Sequence, residues 1–160
     1  MKIAVLITSI IGSLLLMVYT ILMAKKKGCP LCSLSETAYI VKSPNIFTFV
    51  IVMGAFLMTP QMIVNTSGWV GFLGIVFLFG MMMVGASPHY RTIGKALHMV
   101  GAFTAAISSQ LLIGITDYRF LAFWVIYGII YLIRRKRSVL WEEGVCFTII
   151  TTFNILGQWI

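Results

Sequence analysis

Residues 69–86 read WVGFLGIVFLFGMMMVGA, an apolar stretch without one charged side chain, closed by Asn65-Thr66-Ser67-Gly68 before it and Ser87-Pro88-His89-Tyr90-Arg91 after it. At a rise of about 1.5 Å per residue, a helix over this stretch is about 27 Å long, close to the thickness of a bilayer's hydrocarbon core. The apolar residues leave no polar face for water, so the segment reads as a transmembrane span.

Five further stretches of the same kind extend the pattern in both directions. The spans fall at residues 3–23, 46–64, 69–86, 96–115, 118–133 and 139–160. The links between them are short, down to Thr116-Asp117, and Arg134-Arg135-Lys136-Arg137 forms the last. Such links force sequential neighbours to pack antiparallel and leave no room for an aqueous domain. The expectation is an all-α, polytopic six-transmembrane-helix bundle forming a single membrane domain over residues 1–160. The first stretch is too long for a signal-peptide core and meets Lys25-Lys26-Lys27 where a cleavage site would be, so it is expected to remain as a helix.

Composition agrees. The chain is 60% hydrophobic and 10% charged, with a mean hydropathy of +1.02, more apolar surface than a soluble domain of 160 residues encloses. The net charge of +8 is not a nucleic-acid signal, because the basic residues sit at the ends of the apolar runs. Ten of the twelve lie in the first, third and fifth links; Lys2 and Arg119 lie opposite. The positive-inside rule then makes those three links cytoplasmic and puts both termini outside, as in an integral protein of the bacterial inner membrane. Trp69, Trp159, Trp141, Tyr19 and Tyr131 fall at span ends, where an interfacial aromatic belt is expected.

Residues with chemistry are few. The spans carry no Asp, Glu, Lys or Arg deep in the apolar region, which disfavours an ion-coupled carrier. Gly94, His98, Gly101, Ala105 and Ser109 recur at spacings of three and four, a small face that lets another helix approach closely. Glu36, His89 and His98 fall at the cytoplasmic ends of the bundle, where a single polar cluster would form a lipid head-group site. Cys29-Pro30-Leu31-Cys32 has the CxxC spacing of dithiol and zinc sites, but Cys146 is single, and a fourth zinc ligand beside Cys29, Cys32 and His89 is not evident. No cofactor is expected; zinc is the one alternative. Pro60 should kink the second span.

Ser33-Leu34-Ser35-Glu36-Thr37 after the first span, Pro44 and Phe47 opening the second, and Leu97-His98-Met99-Val100-Gly101-Ala102 opening the fourth resemble the Frag/DRAM-type six-transmembrane proteins and their uncharacterised bacterial relatives. The resemblance covers about half the chain. It implies a six-helix bundle, interest in Glu36 and His98, and a lipid-related role. The chain departs from that family in its basic first link, which the charge pattern puts on the cytoplasmic side.

The function expected is non-enzymatic: binding or organising membrane lipids, or contacting a partner membrane protein or a second copy of the chain. One alternative is a small oligomeric channel lined by Ser and Thr. Another is a membrane enzyme, either a thiol oxidoreductase using Cys29 and Cys32 or a metal-dependent lipid hydrolase using Ser35, Glu36, His89 and His98.

Overall fold

A computed structural model describes residues 2–28, 31–40, 44–90, 92–134 and 138–157. Among these residues all regular structure is helical: α1 (Lys2–Lys27), the single turn α2 (Thr37–Ile40), α3 (Pro44–Val64), α4 (Phe72–Ala86), α5 (Gly94–Asp117), α6 (Ala122–Arg134) and α7 (Val139–Leu156), with 3-10 turns before and after α4 and before α6. Much of the outer surface is apolar. Phe49, Phe56, Phe72, Phe79, Phe103 and Val125 are each more than half exposed, an arrangement water would penalise and lipid accepts.

Five helical runs among the described residues are long and apolar enough to cross a membrane: Lys2–Lys27, Pro44–Val64, Gly68–His89, Gly94–Ile133 and Val139–Leu156. The count differs from the six expected because Gly94–Ile133 joins the fourth and fifth expected spans. A straight helix of that length would put Gln110 and Trp124 about 21 Å apart. Instead the Trp124 indole Nε1 donates to Gln110 Oε1 at 3.0 Å. The chain folds back at Asp117, whose backbone is extended (φ −157°, ψ 99°) and whose carboxylate accepts from the Arg119 amide and guanidinium. α6 is 13 residues long, about 20 Å, and none of residues 122–133 is buried.

Helix α3 lies at the centre. Ile51, Ala55, Met58 and Met62 are at most 1% exposed, and the helix continues through Pro60. Close approach to its neighbours depends on absent side chains. A Cβ on Gly12 of α1 would lie 2.8 Å from Gly54 O. Between α4 and α5, a Cβ on Gly80 would lie 2.6 Å from Ala105 N, and one on Gly101 would lie 2.7 Å from Gly80 O. Ala105 and Ser109 continue the buried face of α5, and Gly94 backs onto Ser87 O, so the small residues noted in the sequence lie at close helix contacts.

Of the expected aromatic belt, Trp69, Trp141 and Tyr131 are exposed, whereas Tyr19 belongs to the core. Trp159 lies outside the described residues, as do Lys42, Arg91, Arg135, Lys136 and Arg137 of the charge count.

Candidate functional site: a groove between the first and last helices

The three residues expected to share one polar cluster have separate partners. Glu36 takes an ion pair from Lys27 (2.6 Å) and the Cys32 amide (2.7 Å). These two contacts, the Lys27 bond first, hold its carboxyl below the usual range. His89 Nε2 meets the Thr48 hydroxyl at 2.9 Å, and His98 Nδ1 meets the Ser87 hydroxyl at 3.4 Å. Among the described residues no hydrogen bond or ion pair links Glu36 to either histidine. The histidines join α3, the turn after α4, and α5; Glu36 organises the first loop.

Cys32 is exposed and Cys146 half-buried, both as free thiols, while Cys29 lies outside the described residues. Among the described residues no group of three or more His, Cys, Asp or Glu side chains could hold a metal ion.

The first loop is fastened down. Helix α1 ends on Gly28, which adopts a positive φ of 73°, and whose amide donates back to Ala24 O, a common way to stop a helix. Leu31, Leu34 and Ala38 are then buried against the bundle. Two bonds fix this loop to the start of α7: the Leu140 amide donates to Cys32 O at 3.1 Å, and the Leu34 amide donates to Glu143 Oε2 at 2.6 Å. Glu143 was not singled out from the sequence, because an acid near a span end carries little weight in a charge count.

Beside this anchor a cavity of about 480 Å3 runs between antiparallel α1 and α7. Ile10, Leu14, Met17 and Ile21 line one wall and Phe147 and Ile155 the other, with Leu34, Leu140 and Glu143 at the loop end. From Ile10 to Ile21 the wall extends about 17 Å. Five hydroxyl residues also line it, and each donor is used within the protein. Ser13 donates to Ser9 O, Thr20 to Leu16 O, Thr148 to Gly144 O, Thr152 to Thr148 O, and Thr151 to Ser13 Oγ. The wall therefore offers no free hydroxyl donor, and most of its lining is Ile, Leu, Met and Phe.

Beyond the far end of the groove a chain of amides ties α1, α3 and α7 together. Asn154 Nδ2 donates to Ser9 Oγ (2.8 Å) and Met58 O (3.2 Å). Gln61 Nε2 donates to Asn65 Oδ1 (2.7 Å), and Asn65 Nδ2 donates to Phe153 O (2.9 Å). Backbone carbonyls only accept, so the polarity of this chain is fixed. It leaves Gln61 Oε1 and Asn154 Oδ1 buried without a donor among the described residues. No protein-family model matches this chain, and no curated protein or solved structure does.

Proposed function

We propose that this chain is a non-enzymatic, inner-membrane protein that binds a membrane lipid in the groove between α1 and α7. The observation that carries the reading is the pairing of a long wall whose hydroxyl donors are all satisfied with a single carboxylate at its loop end. An acyl chain suits the first and a polar head group suits the second. The predominance of Ile, Leu, Met and Phe along the wall favours an acyl chain over a water-filled pore. A lipid role also agrees with the resemblance to the Frag/DRAM-type proteins.

In this reading the chain crosses the membrane six times, with the first, third and fifth links cytoplasmic. The Trp124–Gln110 hydrogen bond supports the sixth crossing, since it turns the start of α6 back toward α5. The first loop then lies with the lipid head groups of the cytoplasmic leaflet. A phospholipid carrying a photoactivatable group on its acyl chain tests the proposal in reconstituted bilayers. Cross-links should concentrate on Met17, Phe147 and Thr148 relative to Phe79 and Phe103 on the outer surface. A uniform distribution over all apolar faces would contradict it.

A further inference from the structure

We propose that the lipid taken by this groove is a zwitterionic aminophospholipid whose ammonium group pairs with Glu143. The inference rests on the groove reading and adds the chemistry of the head group.

Glu143 is the only formally charged residue among the described residues that line the cavity; no Lys, Arg or His joins it there. It is half-buried, and its Oε2 receives the Leu34 amide at 2.6 Å, while Oε1 accepts no hydrogen bond among the described residues. A carboxylate held in an apolar wall is unfavourable unless a cation or several donors compensate it. One backbone amide supplies part of that compensation, and an ammonium at Oε1 would complete it with a charge-assisted bond. An anionic head group with its charge at the same place would set like charges together.

The phosphate of the same lipid has a counterpart. Lys25 follows Ile21 by four residues and so continues the face of α1 that lines the groove, and it is exposed. Lys27 is already paired with Glu36, which leaves Lys25 as the cation on that face. The order along the groove is thus apolar wall, carboxylate, lysine, matching acyl chain, ammonium and phosphate in a head group that folds back toward the wall.

The test is native mass spectrometry of the purified full chain in micelles, exposed to equal amounts of phosphatidylethanolamine and phosphatidylglycerol with identical acyl chains. Wild-type protein should retain the ethanolamine lipid about tenfold over the glycerol lipid, the worth of one charge-assisted hydrogen bond. Glu143→Gln should bring the ratio near one by lowering retention of the ethanolamine lipid toward that of the glycerol lipid, because a Gln carbonyl still accepts from the Leu34 amide but carries no charge for the ammonium. Equal retention by wild type, a preference for phosphatidylglycerol, or an unchanged ratio in the variant would overturn the head-group assignment while leaving the groove reading intact. No retained lipid of either kind would instead overturn the groove reading itself. The wild-type ratio needs no variant, so the outcome does not depend on how Glu143→Gln folds.

Discussion

The backbone amide of Leu34 donates to Oε2 of Glu143 across 2.6 Å, joining two residues 109 positions apart. The bond fastens the first loop to the last helix and sets the only charged residue lining the groove, among those described, at its mouth. Several measurable consequences arise from it and from the packing around it.

Replacing Glu143 by Ala leaves the Leu34 amide without its acceptor. A bond from an amide to a charged group contributes about 1.5–3 kcal/mol, so deuterium exchange of the peptide covering residues 31–40 should rise about tenfold or more. Unchanged exchange would mean that the Leu140–Cys32 bond and the burial of Leu31 and Leu34 hold the loop without Glu143.

The loop should loosen in acid. The carboxyl of Glu36 is held below its ordinary 4.5 by Lys27 and the Cys32 amide. Its contribution is therefore complete above that value, and is lost as pH falls through the lower pKa of the folded state. Exchange at Cys32, corrected for intrinsic chemistry, should be flat from neutral pH to about 5 and rise below the ordinary glutamate range, and Glu36→Gln should abolish this step. A step centred near pH 6 would point to a histidine.

Two glycines should respond in opposite ways to the same substitution. A side chain at Gly101 meets Gly80 O and Met83 Cβ at 2.7 Å, whereas one at Gly144 meets nothing within 4 Å. Gly101→Leu should therefore lower stability in detergent by about 1–3 kcal/mol or more, as α4 and α5 are pushed apart. Gly144→Leu should be neutral or stabilising by up to about 1 kcal/mol, through better helix propensity. Equal melting temperatures for the two variants would refute the α4–α5 contact.

Asn154→Leu tests the amide chain. The change removes the bonds to Ser9 and Met58 O but also removes a buried acceptor that has no donor among the described residues. These oppose each other, so the loss should be only about 1 kcal/mol, in keeping with interhelical hydrogen bonds in membranes. A loss several times larger would mean that Asn154 Oδ1 has a further partner, such as an internal water.

The helices were legible in the sequence because a membrane span is a one-dimensional signal. The stretch 46–64 became Pro44–Val64, and the start of α7 at Val139 was met to the residue. The first helix continues past Met23 because Lys25, Lys26 and Lys27 favour its last turn, where the helix dipole welcomes cations. The groove was not legible. Periodicity marks which residues of α1 and α7 are small or polar, but not that Ser13 would meet Thr151 and Ser9 would meet Asn154. His98 and Glu36 both fall at span ends, which is all the sequence offers for pairing them; the 3-10 turn after α4 instead brings Ser87 to His98.

The central claim is that a lipid occupies the space between α1 and α7, and filling that space from a position that tolerates a side chain tests it most directly. Gly144 lines the groove, and a side chain built there meets no neighbour. Native mass spectrometry after mild delipidation should find one phospholipid retained per wild-type chain and none on Gly144→Phe, with the variant still melting cooperatively as a folded protein. Equal lipid retention by the two proteins would contradict the account.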